Sequence, residues 1–378
     1  MRIVFIADGD PNDNRLWSGT IKQMYTQLKS AHEVFVIDVS NRSVLLTAFN
    51  RCVTAIVRWI TKKKYNASYS TLNARRESRI VETHMHRLGQ VDAVFCPAKS
   101  GSIAYAKIQA PIIYLTDATF EQMVGYYDHL TDLCRWTVYE GTTIERKAIG
   151  NSACVICAST WAQRSVITDY NKSESQTGII PFGANIDEFV SANKDMERIN
   201  ILFCGVDWKR KGGSVAVETV KELQRRGIDA HLFLVGCRPP CEFAQPFIHT
   251  VGFLNKNNEC ERKRLQEIYG TMHFLLLPTV AECAGIVFAE ASGYGIPSIT
   301  YDTGGVGTYV VDNVNGFKLP LSAGYSEFAT CIERCAKDAA LYKKLCDGAK
   351  EYYNASLNWT SWKEAFDEVL NEVCDEKI

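Results

Sequence analysis

No stretch of the 378-residue sequence approaches the ~18 consecutive apolar residues that a membrane-spanning helix requires. The apolar start, Met1 to Ala7, is one strand long and meets Asp8, so no secretory leader is expected either. Net charge is nearly absent: 42 Lys and Arg against 43 Asp and Glu leave −1. That balance argues against affinity drawn from neutralising phosphates along a nucleic acid, and no nucleic-acid partner is expected. The dinucleotide fingerprint G-x-G-x-x-G is missing from the first strand-to-helix turn, which reads Asp8-Gly9-Asp10-Pro11, so a nicotinamide dehydrogenase loses its main support. A G-x-S-x-G nucleophile elbow is missing too. Zinc-type ligand sets are lacking. Cys154 and Cys157 fall in a strand, where positions three apart face opposite sides, and Cys237 and Cys241 have no second pair at ligand spacing. No metal and no cofactor are expected. The fourteen cysteines lie scattered through apolar runs such as Val155-Ile156-Cys157, which reads as reduced, buried thiols in a soluble cytoplasmic protein. In that compartment Asn-x-Ser/Thr triplets such as Asn66-Ala67-Ser68 are chance.

What is present is the material for two cores. The length is about two and a half times the ~150 residues of an average domain. Composition, 46% hydrophobic and 22% charged, is that of a globular chain. Short apolar, β-branched runs (Ile3 to Ala7, Glu33 to Val39, Ala93 to Cys96, Ile112 to Leu115, Cys154 to Ala158, Gly178 to Pro181) alternate with amphipathic helical stretches. This is the pattern of a parallel sheet covered on both faces. A polar break at Ser191 to Arg198 reads as a linker, and a second series follows at Ile199 to Cys204, His231 to Val235, Ile248 to Val251, Phe274 to Leu277 and Pro297 to Thr300. One α/β architecture is therefore expected twice, with ligands in a cleft to which both sheets point their carboxyl ends. The last helix places Trp362, Phe366, Val369, Leu370 and Val373 on one face and needs a surface to cover.

Chemistry concentrates between Pro278 and Asn315. A strand ends at Leu277, a small-residue turn carries Glu282, and Gly285 opens a helix bearing Glu290. The backbone N–H groups of a helix start have no intrahelical partner and carry the positive end of the helix dipole, so Ala284, Gly285, Ile286 and Val287 suit a phosphate or a sugar hydroxyl. Glu282 and Glu290 frame them, each able to accept hydrogen bonds from paired hydroxyls, or else simply solvated surface. A second element follows Cys204-Gly205, where Lys209-Arg210-Lys211-Gly212-Gly213 leads into a helix, and a lysine at that place is a point-charge partner for a diphosphate.

Together these segments closely resemble the signature of the family 4 GT-B glycosyltransferases: E-x7-E at Glu282 and Glu290, G-x-P at Gly295-Ile296-Pro297, D-x-G-G at Asp302 to Gly305, and an N-G-[FL] hairpin at Asn315-Gly316-Phe317. Lys211-Gly212 falls where the family has G-R-x4-K-G, with Val206 in the arginine slot and Arg210 or Lys209 as substitutes. The family's aromatic before the glycine is Ala284 here. Ala31-His32-Glu33-Val34 matches the opening of the family's second strand, and Pro181 to Asp187 its P-N-G-V-D. The resemblance implies two Rossmann-like domains facing a cleft, at 1–190 and 191–356, with a helix at 357–378 crossing back to the first. It implies a retaining hexosyl transfer from a nucleotide-sugar donor, UDP-sugar before GDP-mannose, to a glycan or lipid-linked acceptor. It also implies roles: Glu282 on the transferred sugar, Lys211 on the diphosphate, Glu290 on the ribose, Gly19 near the nucleotide sugar, and Asp117, where relatives have a histidine, on donor or acceptor hydroxyls. The loop holding Gly252, Phe253 and Leu254 would read the base. A noncatalytic nucleotide-sugar-binding subunit and a nucleotide-sugar 2-epimerase are the alternatives.

Charge, though balanced in total, is unevenly spread. Residues 41–90 hold ten Lys or Arg against Glu77 and Glu82, a window of +8. Within it Leu45, Leu46, Phe49, Cys52, Val53, Ile56, Val57 and Ile60 form an apolar stripe at helical spacing, next to Arg51 and Arg58 and ahead of Lys62, Lys63 and Lys64. Such a helix either packs its stripe on a core or lies peripherally on an anionic membrane.

Overall fold

A computed structural model describes residues 1–40, 44–186, 189 and 195–375. The chain divides into two compact units, Met1–Ile180 joined by residues from Lys363 onward, and Pro181–Trp362. Half of the expected linker, residues 191–194, lies outside the described residues, as do Asp187 and the boundary at 190.

The first unit is built on a parallel six-stranded sheet of β1 (Arg2–Ala7), β2 (Glu33–Asp38), β3 (Ala93–Pro97), β4 (Ile112–Thr116), β5 (Cys154–Cys157) and β6 (Thr177–Ile179), in the order β2-β1-β3-β4-β5-β6. Strands β3, β4 and β5 are buried along their whole length, because helices cover both faces and no position is left for polar alternation. The second unit repeats the plan with β7 (Ile199–Cys204), β8 (Ala230–Val235), β9 (Ile248–Gly252), β10 (Phe274–Leu277), β11 (Ser298–Tyr301) and β12 (Gly316–Leu319), ordered β12-β11-β10-β7-β8-β9. The α/β class and the two tandem Rossmann-like units match the expectation from sequence. β12 is a correction: Asn315-Gly316-Phe317 does not open a hairpin but feeds a strand parallel to β11, with Gly316 against Ser298. The turn itself survives just upstream, where Asn313 takes φ 61° and its N–H donates to the Gly316 carbonyl.

In each sheet the first strand pairs with strands on both sides, since the chain steps outward and then crosses back. The switch points are therefore β1/β3 and β7/β10, and the crevice beyond the carboxyl ends of such strands is where α/β sheets bind ligands.

The last helix, Trp359–Asp375, buries Trp362, Phe366 and Leu370 almost completely. Phe366 meets Phe95 of β3 edge-on at 4.9 Å, and His32 Nε2 lies 3.0 Å from Asp367 Oδ1, so from Lys363 onward the helix packs within the first unit.

The expected burial of the cysteines holds for half of them; four more are half-buried, and Cys52, Cys241 and Cys260 are exposed.

The helix Arg135–Asn151 turns Glu145 inward, where its Oε1 accepts a 2.8 Å hydrogen bond from the Tyr114 hydroxyl. Burial pushes the Glu145 carboxyl up to about 7, against the opposing pull of that bond. Between the unfolded value of 4.5 and 7 the folded chain keeps a proton that the unfolded chain releases, so this group's contribution to stability declines as pH rises through that window. Glu145→Gln keeps the hydrogen bond without the titration. Its urea midpoint should change less than that of the native protein between about pH 5 and about pH 8. Equal changes in both proteins would contradict the assignment.

Candidate active site

In the second unit the two loops that leave β7 and β10 meet beside the switch point. After β7 the chain turns through Gly205 and Lys211 into the helix Gly213–Arg225, capped by Gly212 at φ 77°. A Cβ on Gly212 would fall 2.0 Å from the Pro278 carbonyl oxygen, so only glycine lets the two loops come this close. The Lys211 stem lies across Gly205, where a Cβ would stand 2.9 Å from its Cγ. The Val280 N–H donates to the Arg210 carbonyl at 2.9 Å and completes the join.

This brings Lys211, Arg210 and Glu282 together. Lys211 Nζ donates to Glu282 Oε2, and one Arg210 nitrogen reaches the same oxygen at 3.7 Å while donating to the Ala281 carbonyl at 2.8 Å. The Lys211 and Glu282 side chains are only 10% and 12% exposed, well outside the regime in which surface ion pairs contribute almost nothing. Arg210 thus supplies a guanidinium to the cluster from four residues beyond the arginine slot that Val206 occupies, while Val206 itself is exposed.

Glu290 lies on the helix Ile286–Gly293, which starts at Gly285 with φ 81° as the sequence indicates. It is 3% exposed and engaged at both oxygens: Lys256 Nζ donates to Oε1, and the Tyr269 hydroxyl donates to Oε2 at 2.9 Å. Each carboxylate oxygen has two lone pairs, so one acceptor site remains on each. Burial pushes the Cys204 thiol, at the end of β7, up to about 11; Glu290 adds to the shift, and Lys256 and Lys211 oppose it. The Lys211–Glu282 and Lys256–Glu290 pairs therefore share one neighbourhood. Lys256 belongs to the loop after β9, which leaves the strand's last residue, Gly252, through Phe253 and Leu254, and Phe253 stands 68% exposed. Ala284 and Gly285 are buried, and Ile286 and Val287 half-buried, at the helix start.

In the first unit, Gly19 caps the helix Thr20–Lys29 after two residues, Trp17 and Ser18, that also take positive φ (49° and 57°). Left-handed conformations at non-glycine residues cost of order 1 kcal/mol each and gather at functional sites. Asp117 sits half-buried in the turn after β4. At the β1/β3 switch point Lys99 Nζ bridges Asp8 at 3.2 Å and Glu77 at 3.3 Å, and Ser102 donates to Glu77 at 3.0 Å.

Sequence reasoning missed Lys256, Tyr269 and the Asp8–Lys99–Glu77 cluster. Lys256 and Tyr269 carry no local signal. Asp8 and Lys99 each follow a strand, a signal that becomes readable only once the strand order is known. Among the described residues no group of His, Cys, Asp and Glu is arranged to hold a metal ion.

Residues 198–338 match the family model described as glycosyl transferases group 1. Two curated proteins named D-inositol 3-phosphate glycosyltransferase are similar to the chain. The one from Xylanimonas cellulosilytica is 24% identical over 46% of this chain and 46% of its own length, and the one from Corynebacterium diphtheriae is 21% identical over 60% and 58%. The chain thus spans about half the length of the curated relatives it matches. Among solved structures, sucrose-phosphate synthase from Thermosynechococcus elongatus aligns with TM-score 0.71 at 15% identity, covering 99% of both chains. Anabaena HepE, solved in complex with UDP, aligns with TM-score 0.64 at 14% identity over 98% of this chain and 100% of its own.

Proposed function

From a chain of two tandem Rossmann-like units whose residues 198–338 match the glycosyl transferases group 1 model, we propose a retaining glycosyltransferase of GT-B type. It moves a hexose from a nucleoside diphosphate sugar, UDP-sugar before GDP-mannose, to an acceptor hydroxyl of a glycan or glycolipid. The observation that carries this reading is the Lys211–Glu282 pair at the β7/β10 switch point, where a parallel sheet is built to receive an anionic ligand. HepE, a structural neighbour, was solved with UDP, which favours that donor base.

The chemistry follows from charge. As the bond from the sugar C1 to the β-phosphate oxygen breaks, negative charge grows on the diphosphate, and Lys211 with Arg210 stabilises it. The acceptor oxygen bonds to C1 from the face that the phosphate leaves, and its proton passes to the departing phosphate oxygen. Lys211 holds Glu282 before the donor arrives. The diphosphate then takes the lysine, and Glu282 is freed to accept from the sugar hydroxyls. Glu290 accepts from the ribose with its remaining lone pairs, and the loop from Gly252 to Leu254 borders the base. Gly19 and Asp117 belong to the first unit, which holds the acceptor, and the basic window 41–90 makes the peripheral contact with an anionic membrane.

A ligand that binds only the folded state raises its melting temperature. UDP-glucose, GDP-mannose and ADP-glucose are compared by thermal shift, and at about a hundredfold excess over its dissociation constant one of them should stabilise the protein by about 2.7 kcal/mol. No shift with any of the three would overturn the donor reading.

A further inference from the structure

The candidate site lies at the carboxyl ends of the second sheet. At the opposite, amino ends, Arg198 and Asp229 stand just ahead of β7 and β8, and His231 and His249 are the second residues of β8 and β9. These four side chains form one chain of contacts. Arg198 Nε donates to Asp229 Oδ2 at 2.9 Å, Asp229 Oδ1 lies 3.0 Å from His231 Nε2, and His231 Nδ1 lies 2.8 Å from His249 Nε2. The two imidazole planes are 11° apart, and Phe233 stacks on His249 with ring centroids 4.6 Å apart, so the facing nitrogens are held in place by packing.

This geometry limits the protons that the two rings can carry. An ionised Asp229 only accepts, so His231 Nε2 bears a hydrogen. Between His231 Nδ1 and His249 Nε2 there is room for one hydrogen, because an N–H on either nitrogen needs a bare nitrogen opposite. His249 Nδ1 can take a further proton, which brings the pair to one positive charge. A second charge would set two N–H groups head to head. The charged groups that face the rings are Asp229, already shared with Arg198, and Arg198 itself. Burial, with His231 and Arg198 acting in the same direction, holds the His249 ring below the usual histidine range.

β9 is an edge strand paired with β8 alone, and it runs directly into the loop that brings Lys256 to Glu290. We propose that the His231–His249 contact is a one-proton latch that ties β9 to β8 and opens in mild acid, loosening the loop that carries Lys256. Once the strand is released, each histidine takes a proton near its ordinary value of about 6.5, one more than the closed latch accepts. Closure is therefore strongest above that value and weakens as pH falls through it. Glu145, in the first unit, has the opposite sign, its contribution declining as pH rises. The latch stands on the geometry of the second unit alone, and its effect on the nucleotide rests on the donor reading above.

The test is amide hydrogen exchange of the full chain at about pH 7.5 and about pH 5.5, each amide referred to its intrinsic rate at that pH. Protection of β9 should fall about tenfold between the two, the linkage of one proton, while β7 and β10 keep theirs. His249→Gln and His231→Gln each replace a ring by an amide that can donate or accept without titrating. In both variants β9 should show little loss of protection with acid, whereas a merely structural contact would lower it equally at both pH values. The nucleotide sugar that gives the largest thermal shift should bind the native protein more weakly at the lower pH, and the glutamine variants about equally at both. Native β9 protection that does not change with pH overturns the proposal, as does an equal loss in β7 and β10, or an acid loss that persists in both variants. Release of β9 that leaves nucleotide affinity unchanged overturns the coupling to Lys256. Acid release of β9 in a protein that binds no nucleotide at either pH counts against the donor reading alone.

Discussion

Lys211→Ala is expected to lower turnover on the order of 10²- to 10³-fold, the loss typical of removing one preorganised donor to a developing oxyanion. The lysine's surroundings make it the most sensitive position in the second unit. Its stem is fixed across Gly205 and its ammonium is nearly buried against Glu282, so little reorganisation is needed when charge moves to the phosphate. Removing it also takes the ammonium from Glu282, which Arg210 meets at the longer distance of 3.7 Å, and a carboxylate that has lost its nearest cation repels the diphosphate. The loss should therefore appear in kcat and in donor KM together. Lys211→Arg should recover part of the binding and little of the rate, because a planar guanidinium on a longer stem cannot take the ammonium's position beside Gly205. Near-native turnover in a folded Lys211→Ala protein would place the diphosphate elsewhere.

Glu290→Ala should weaken binding of the free nucleotide roughly 10²- to 10⁴-fold, from two charge-assisted hydrogen bonds worth about 1.5 to 3 kcal/mol each. Two effects add in the same direction. The ribose loses its acceptor, and Lys256 and Tyr269, which now share that carboxylate, are left without it. Glu290→Gln separates them, since it keeps the volume and an acceptor oxygen but not the charge, and its loss should be intermediate. Calorimetric titration of the nucleotide measures both. Unchanged affinity in Glu290→Ala would remove the ribose from this site.

The eleven strands expected from sequence were legible because each is a short apolar run between helical stretches, and in β3, β4 and β10 burial is continuous as the run implies. β12 was not. Gly316-Phe317-Lys318-Leu319 is four residues with a lysine, and its pairing with β11 comes from contacts 18 residues apart in register rather than from any local pattern. The Val44–Thr61 helix divides the same way. Periodicity gives the stripe, but nothing local says which part of it meets the protein, and in the structure Leu46, Val53 and Val57 are half-buried while Phe49, Ile56 and Ile60 stand exposed. At the candidate site, Lys211, Glu282 and Glu290 were readable because glycines and small residues bracket them at family spacing. Their partners were not: Lys256 and Tyr269 lie 34 and 21 residues from Glu290 and reach it only through the folding of β9 and the helix Glu259–Thr271. The Lys99 bridge to Asp8 spans 91 residues and exists because β3 pairs directly with β1.

The central claim, that the second unit holds a nucleotide sugar between Lys211 and Glu290, is tested most directly by a crystal structure with the nucleotide that gives the largest thermal shift. The diphosphate should lie within hydrogen-bond distance of Lys211 Nζ, with Glu282 released from it, and the ribose hydroxyls should donate to Glu290. A nucleotide found instead at the β1/β3 switch point, against Asp8 and Lys99, would contradict the account.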